Sequence, residues 1–192
     1  MIKVDTAATG EVVTLKVLKD HLHILAEDTL EDGILSLYLA AAVSYTEEYL
    51  NRFLLPTTVT EYFDCFDNVI CLKKNPVTEV ASLKYLNADN TEKTLTVNTD
   101  FYTDLVSEPA RIAPVDSWPV TSDRLNSVYV NYVTGYEDAT KIPTAIKQAI
   151  LLITGQMYRD KEDDILRLIT RRDILASHRL LDLYRVKTYV RA

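Results

Sequence analysis

The stretch from Thr29 to Leu54 constrains the fold most, because it has the pattern of one long helix. Thr29 is a suitable N-cap, and Asp32 follows in the first turn, where a carboxylate faces free N–H groups. Pro56 excludes helix from the residue before it. Eight apolar side chains at helical spacing form a broad stripe: Ile34, Leu35, Tyr38, Ala41, Ala42, Tyr45, Tyr49 and Phe53. Such a helix, about 37 Å long, needs partners, and the strongly apolar segment from Thr144 to Arg159 is the best candidate.

Between these two helices the hydrophobic period changes from 3.6 to 2, which is typical of strands. The segments are rich in β-branched and aromatic residues and are separated by turn residues. They predict an antiparallel meander or a small sandwich. The predicted strands cover residues 57–66, 68–72, 77–86, 92–97, 100–105, 110–115 and 127–136.

The fold class predicted from this order is α+β, a helical frame with an inserted antiparallel β-sheet or sandwich. Residues 1–56 form the N-terminal helical part, with an extended lead-in and a short helix that Thr14 caps. Residues 57–136 form the inserted β region. Residues 137–192 complete the helical part with Pro143 at a helix start, a buried helix and a second helical segment over 165–186.

Composition and charge narrow the classes of function. The chain has 192 residues, of which 47% are hydrophobic and 26% charged, as in ordinary soluble domains. It has neither an apolar run of transmembrane length nor the apolar core of a signal peptide, so we expect a protein used inside a cell. The net charge of −7 argues against a general nucleic-acid binder. The charge is uneven: residues 1–158 carry 12 Lys/Arg and 22 Asp/Glu, whereas residues 159–192 carry 9 and 6.

The residues that usually carry enzyme chemistry do not form a recognisable set. The four glycines are scattered, so no phosphate-binding loop is predicted. His21 and His23 point to different sides of a helix, and the acidic clusters lack a Glu-x-x-His pattern. Cys65 and Cys71 flank a turn and could face each other across a hairpin, but two buried free thiols are the preferred interpretation. We therefore expect that the protein is not an enzyme and that it binds neither a metal ion nor a cofactor.

Twelve tyrosines are the more unusual feature. Tyr38, Tyr45 and Tyr49 are expected at the rim of the helical core, with their hydroxyl groups reaching solvent or partners. Most of the others are expected to be ordinary half-buried side chains.

The order of several segments resembles one family, the head–tail connector (adaptor, or head-completion) proteins of long-tailed bacteriophages and related gene-transfer particles. The similarity covers most of residues 13–163, and each motif is structural. Asn90 stands where a turn glycine is common, which Asn can accommodate. Beyond this region only a Leu-Leu-x-x-Tyr-Arg ending at 180–185 is similar. The segments that carry the resemblance are VTLKVLKDHLHI (13–24), YLNRFLLPTTVTEYFD (49–64), NPVTEVASLKYLNADNTEKTL (75–95), SEPARIAPVDSWP (107–119) and VYVNYVTGYEDATKIPTAIKQAILLITGQMYRDKED (128–163).

The resemblance implies a structural virion protein at the head–tail junction, assembled in the cytoplasm of a bacterial host. It implies a ring, commonly of twelve copies, docked beneath the portal protein, with a stopper or tail-completion protein on its far side. Double-stranded DNA passes through the bore without sequence-specific contact, and no membrane is involved. The family has no catalytic residues to transfer. A bore lined by carboxylates would repel the duplex, whereas a basic bore would hold it through counterion release.

The basic end of the chain is the candidate portal-binding arm, which would fold on contact. The residues assigned to this role are Arg171, Arg172, Arg179, Arg185, Lys187, Tyr189 and Arg191. Two other classes of function compete with this one. A stand-alone ligand-binding or regulatory module would use a concave face of the β region and be favoured by a deep apolar pocket. A hydrolytic enzyme is disfavoured because no triad or metal set is present.

Overall fold

The computed structural model describes residues 1–159 and 171–186, and the chain divides into two compact units. The β unit comprises Met1–Thr9 and Leu55–Glu137, with Val186. The helical unit comprises Gly10–Leu54 and the described part of Asp138–Arg185. Helices and antiparallel sheets are both present, so the predicted α+β class is confirmed. Among the described helices, none has the length and apolar character needed to span a bilayer.

The β unit, as far as it is described, contains two antiparallel sheets. The larger sheet has five strands in the order β1-β2-β8-β4-β5, and the smaller has three in the order β3-β7-β6. This order differs from a simple meander because the last strand, β8, lies in the centre of the larger sheet. The strands are β1 (Ile2–Thr6), β2 (Thr57–Phe63), β3 (Ile70–Cys71), β4 (Val77–Leu86), β5 (Glu92–Leu95), β6 (Phe101–Asp104), β7 (Arg111–Pro114) and β8 (Val128–Thr134).

The central strand β8 shows why the sequence pattern predicts this sheet well. Val128, Val130, Tyr132 and Thr134 are buried, and the residues between them are half-buried. Tyr132 pairs with Val59 of β2 on one side and Val80 of β4 on the other. A period of two therefore places one set of side chains in the core, as expected for a strand with one face inward.

Two features of the β unit were not predicted. The lead-in forms β1, which pairs with β2 through registers such as Ile2 with Glu61. After β8 the chain turns at Gly135, which has φ of +119°. A Cβ atom at Gly135 would lie 2.2 Å from the carbonyl oxygen of Leu55. Only glycine allows this conformation and this close approach.

The described part of the helical unit contains four α-helices. They are α1 (Leu15–Leu22), α2 (Asp32–Leu50), α3 (Thr144–Arg159) and α4 (Arg171–Asp182), with a 3₁₀ turn at Ala139–Lys141 before α3. The predicted bounds of α3 are confirmed, and its burial is confirmed on one side of the helix; the buried residues are Ile146, Ala149, Ile150, Leu151, Thr154 and Gly155. The Thr14 cap of α1 is also confirmed, because its side chain accepts a hydrogen bond from the Val17 amide at 3.4 Å.

The ends of α2 differ from the prediction. The proposed Thr29 cap is wrong: the helix begins at Asp32, and Glu31 occupies the N-cap position without a side-chain hydrogen bond to the helix end. The helix ends at Leu50, where Asn51 adopts the left-handed conformation with φ of 54°. Asn tolerates this conformation better than most residues do. The chain therefore leaves the helix well before Pro56.

A buried lysine explains why α2 begins at Asp32. The ammonium group of Lys19 in α1 lies 2.5 Å from Asp32 Oδ1 and donates to the carbonyl oxygen of Asp28 at 2.8 Å. Lys19 is only 4% exposed, so its charge needs these partners. The ion pair holds the first turn of α2 against α1 and leaves residues 29–31 outside the helix.

The stripe that α2 buries is narrower than predicted. Only Leu35, Ala42, Thr46 and Leu50 are buried, and Ala41, a predicted stripe member, is exposed. The cause is that α2 is apolar on almost its whole circumference over its first three turns. Hydrophobicity alone therefore could not indicate which side faces the core.

Cys65 and Cys71 are free thiols, as predicted, but their predicted burial is wrong, since both are exposed. Cys71 lies in β3, a strand of two residues in which Ile70 is buried and Cys71 points outward. A strand of two residues shows no alternation, so its sequence does not indicate which residue points inward. The apolar character of cysteine favoured a buried position, which is wrong for Cys71.

Candidate partner-binding surface

The candidate surface is the outward side of α4 and the residues that follow it, the part of the predicted basic arm that the structure describes. Ser177 and Leu181 face inward and are buried. Ala176 and Arg179 are exposed on the opposite side. Leu183, just after the helix, is 79% exposed. These last three residues recur at spacings of three and four, so they share one face.

A stack of three rings attaches α4 to α2. The rings of Tyr49 and His178 are nearly parallel, at an interplanar angle of 7° and a centroid distance of 4.6 Å. Tyr45 lies 6.2 Å from Tyr49 and 6.1 Å from His178. Its hydroxyl group is hydrogen-bonded to His178 Nε2 at 2.7 Å. Ring pairs at these separations are favourable beyond the apolar area that they bury.

Charged groups extend this contact toward the end of α4. The hydroxyl group of Tyr49 donates to Asp182 Oδ1 at 2.6 Å, and this hydrogen bond raises the pKa of the tyrosine. The guanidinium carbon of Arg185 lies 4.9 Å from the centre of the Tyr49 ring, a cation–π geometry. We call Tyr45, Tyr49, His178, Asp182 and Arg185 the α4 anchor. It fixes the direction in which the chain leaves the helical unit.

One backbone contact reinforces the anchor. Arg52 Nε donates to the carbonyl oxygen of Tyr184 at 2.6 Å, and Arg52 is only 5% exposed. The last carbonyl groups of a helix and its exit turn have no intrahelical donor, so a buried guanidinium is an apt partner for them.

The structure places the predicted arm residues in three groups. Arg179 and Arg185 are exposed, the first on the outward face of α4 and the second on the Tyr49 ring. Arg171 and Arg172 form the start of α4. Lys187, Tyr189 and Arg191 lie outside the described residues.

Sequence reasoning anticipated part of this surface. It predicted that the hydroxyl groups of Tyr45 and Tyr49 reach solvent or partners; in the structure they bond to His178 and Asp182 of the same chain. It did not identify His178 as a stacking partner or Asp182 as an acceptor. The sequence shows only that each pair has i, i+4 spacing and so forms a ridge, Tyr45 with Tyr49 and His178 with Asp182; it does not show that the two ridges meet.

The β unit holds a buried carboxylate that sequence reasoning missed. Glu61 has no exposed surface, and its Oε2 accepts from the Lys73 amide and from the Tyr132 hydroxyl, both at 3.1 Å. The Lys73 ammonium lies 3.5 Å from Oε1. Burial raises the pKa of Glu61 above its ordinary value. The carboxylate is closed off from solvent, so it serves packing and not catalysis on a dissolved substrate.

A shallow pocket of about 320 Å³ lies elsewhere in the β unit. Trp118 lines it, stacks on Phe66 at 4.4 Å and donates through Nε1 to the Asp67 carbonyl oxygen at 2.7 Å. Its walls are mainly polar and include Asp100 and Asp116. This is not the deep apolar pocket that a ligand-binding module would favour. Within residues 1–159 and 171–186, His, Cys, Asp and Glu side chains form no group of three that could hold a metal ion.

Three solved structures with a similar fold come from gene transfer agent particles. A chain in a structure of the neck of an empty gene transfer agent particle, computed with C6 symmetry, superposes with a TM-score of 0.79 at 19% identity. A chain in the virion of a native gene transfer agent particle gives 0.80 at 19%. A chain in the neck of a native particle computed with C12 symmetry gives 0.75 at 18%. Each match covers 100% of this chain and 98% of the other.

This chain shares the fold of those particle chains. The resemblance that the sequence motifs indicated is thereby confirmed at the level of fold. No family model matches the sequence, and no curated protein matches it either. At identities of 18–19% the similarity lies in the three-dimensional arrangement, which is consistent with motifs that are structural.

Proposed function

We propose that this protein is a structural component of the neck of a phage or phage-like particle, where it forms a connector ring between the portal and the tail. The observation that carries the proposal is the similarity of fold along the whole chain to chains of gene transfer agent particles, two of them in neck structures. The order of sequence motifs, found independently, leads to the same family.

The proposed assembly is a ring of twelve copies beneath the portal protein, with a stopper or tail-completion protein on its far side. The symmetries of the similar neck structures, C6 and C12, are both compatible with twelve subunits. Double-stranded DNA passes through the ring without sequence-specific contact. The net charge of −7 supports sliding, because an acidic bore releases no counterions from the duplex and does not hold it.

The proposed portal-binding element is the basic C-terminal segment. Residues 159–192 carry 9 Lys/Arg and 6 Asp/Glu on a chain that is otherwise acidic. The α4 anchor supports this role, since it holds the exit of α4 in place through Tyr49 and Asp182 and so gives the following residues a defined origin. Arg171, Arg172, Arg179, Arg185, Lys187, Tyr189 and Arg191 are the residues assigned to the portal.

The decisive experiment mixes the purified protein with tail-less capsids that carry their portal, followed by imaging of the vertex by electron microscopy. We expect a new ring below the portal, and none on capsids assembled without the portal. The double variant Lys187→Glu/Arg191→Glu should dock at least 10-fold more weakly than the wild type. A folded protein that leaves an accessible portal vertex bare would overturn the proposal and favour the ligand-binding module.

The proposed role requires no catalysis, and it assigns the protein no substrate or cofactor. The protein acts in the mature particle or in the assembly intermediate in the host cytoplasm.

A further inference from the structure

The outward face of α2 is unusual for a helix in contact with solvent. Leu37, Ala40, Ala41 and Ser44 are exposed and lie opposite the buried stripe of Leu35, Ala42, Thr46 and Leu50. Leu37 is 62% exposed, and Leu30, just before the helix, is 94% exposed. No charged residue occurs between Asp32 and Glu47. Exposed helix faces normally carry charges, and a helix that is apolar all round is normally covered.

The same unit presents a complementary face on α4. Leu183 is 79% exposed and projects beside Ala176 and Arg179. This face offers one large apolar side chain, one small residue and one cation. The α2 face offers small residues around Leu37, where a projecting leucine can approach the helix closely.

The charges of the two faces also match. Helix α2 contains no Lys or Arg, and its exposed charged residue is Glu48 near the C-terminal end, whereas Asp32 is already paired with Lys19 of the same chain. The α4 face carries Arg179, and α4 as a whole has more basic than acidic residues. Opposite charges at the rim of a small apolar contact favour one register and disfavour contact between two like faces.

We infer that the α2 face of one copy packs against the α4 face of the next copy, and that this contact closes the ring. The inference rests on the proposed function and names the surfaces that carry its self-association. Two different surfaces meet, so the contact is heterologous, and heterologous contacts generate closed rings when the rotation between copies is right. Helix α4 is attached to α2 of the same chain through Tyr45 and Tyr49, neither of which belongs to the row of Leu37, Ala40, Ala41 and Ser44.

This contact changes the role of one residue of the basic segment. Arg179 lies on the face that meets the neighbouring copy, whereas Lys187 and Arg191 remain for the portal. The two roles are therefore separable by mutation: Arg179→Glu should impair the ring itself, and Lys187→Glu/Arg191→Glu should impair only its docking.

The test uses cysteine cross-linking in full-length chains in which Cys65 and Cys71 are replaced by serine. One chain carries Leu37→Cys and an affinity tag that increases its mass, and the other carries Leu183→Cys. The two are mixed in equal amounts on portal-bearing capsids, treated with a mild oxidant and separated on a non-reducing gel. A disulfide-linked heterodimer is expected, because single cysteines on separate chains can join only across a contact between copies.

Two controls set the background. Replacing Leu183→Cys by Val106→Cys keeps an exposed cysteine, since Val106 is 96% exposed in the β unit, and should give less than a tenth of the cross-linked product. Leu37→Cys alone should give no homodimer, whereas an isologous contact between two α2 faces would give one.

The outcomes separate this inference from the proposed function. Rings seen by microscopy without the heterodimer, or with a homodimer through Leu37→Cys, would overturn the inference and leave the connector role standing. Heterodimers without rings on the capsid would support the inference and count against the connector role. As a second measurement, Arg179→Glu should reduce ring occupancy at least 10-fold, and Arg179→Lys should reduce it less than 3-fold. Equal occupancy for both variants would contradict the charge match.

Discussion

The two units of this protein bury side chains of opposite charge. The β unit buries a carboxylate, Glu61, whose ammonium partner Lys73 stays half exposed. The helical unit buries an ammonium group, Lys19, and gives it a carboxylate at 2.5 Å together with backbone carbonyl oxygens. The lysine has three oxygen neighbours, whereas the partners of the glutamate offset its burial only in part, so burial raises the pKa of Glu61.

The surfaces of the two units differ as well. In the larger sheet, alternation along β8 separates buried from half-buried positions residue by residue. In the helical unit, α2 exposes an uncharged, largely apolar face over about two turns, from Leu37 to Ser44. Alternation of polar and apolar residues thus indicates which side of a strand is buried. Helix α2 has no such separation of polar and apolar residues on the surface that a neighbouring copy is proposed to cover.

The largest predicted effect tests the two faces of α2 against each other. Leu35→Ala removes a side chain with no exposed surface and should lower the free energy of unfolding by about 2–5 kcal/mol, because it leaves a cavity. Leu37→Ala, two residues away, removes a side chain that is 62% exposed and should change it by less than about 0.5 kcal/mol. Urea denaturation of the isolated chain measures both. Similar losses for the two variants would mean that the Leu37 face is already covered in the free protein.

The second prediction concerns pH and the buried carboxylate. Because burial raises the pKa of Glu61, the folded state retains a proton that the unfolded state has already lost. Stability contributed by this group therefore falls as pH rises from the ordinary glutamate value, about 4.3, to the raised value. The free energy of unfolding of the wild type minus that of Glu61→Gln should fall over this window, by about 1.4 kcal/mol for each pKa unit.

A matched control has the opposite sign. The Arg111 guanidinium, with Nη2 2.5 Å from Asp104 Oδ2, holds the pKa of that carboxyl group well below its usual range. Its contribution is present above the unfolded pKa and is lost as pH falls toward the folded value. The wild type minus Asp104→Asn should therefore rise with pH. If both differences rose with pH, the assignment of Glu61 as the destabilised carboxylate would be contradicted.

These cases show what the sequence could and could not predict. The bounds of β4 and α3 agreed with prediction, because alternation and strong helical periodicity are local signals. The buried position of Glu61 follows from the same alternation, since Thr57, Val59 and Glu61 share the inward face of β2, but a charged residue in that pattern was overlooked. The order of strands depends on pairing between distant segments, which no local pattern encodes.

The candidate surface was predictable only in outline. Charge counting located the basic segment, and the high number of tyrosines led to the expectation that Tyr45 and Tyr49 lie at the rim of the helical core. The match between the Tyr45–Tyr49 ridge and the His178–Asp182 ridge depends on how α4 packs on α2. That packing is tertiary, so the residues of the anchor could not be paired from sequence.

A third prediction tests the α4 anchor. His178→Ala removes the ring stacked on Tyr49 and the partner of the Tyr45 hydroxyl, and should lower the local stability of α4 by about 1 kcal/mol. Hydrogen exchange of the Arg171–Asp182 amides should accelerate roughly 5-fold. Leu183→Ala, a change at an exposed residue near the same helix end, should leave the exchange unchanged in the free chain. Exchange that is equally fast in both variants would show that the stack does not hold α4.

The smallest predicted effect compares two threonines that looked alike in the sequence. Thr14 caps α1, since its side chain accepts from the Val17 amide, so Thr14→Ala should lower the free energy of unfolding by about 0.5–1 kcal/mol. Thr29 precedes α2 but does not cap it, because the Lys19–Asp32 ion pair sets the helix start three residues later. Thr29→Ala should therefore cost less than about 0.3 kcal/mol. If Thr29→Ala lowered the free energy of unfolding as much as Thr14→Ala, α2 in solution would begin near residue 29, and Asp32 would lie inside the helix. Adding Asp32→Asn to the Thr29→Ala variant separates the two cases. If the ion pair sets the helix start, Asp32→Asn lowers the free energy of unfolding more than Thr29→Ala does.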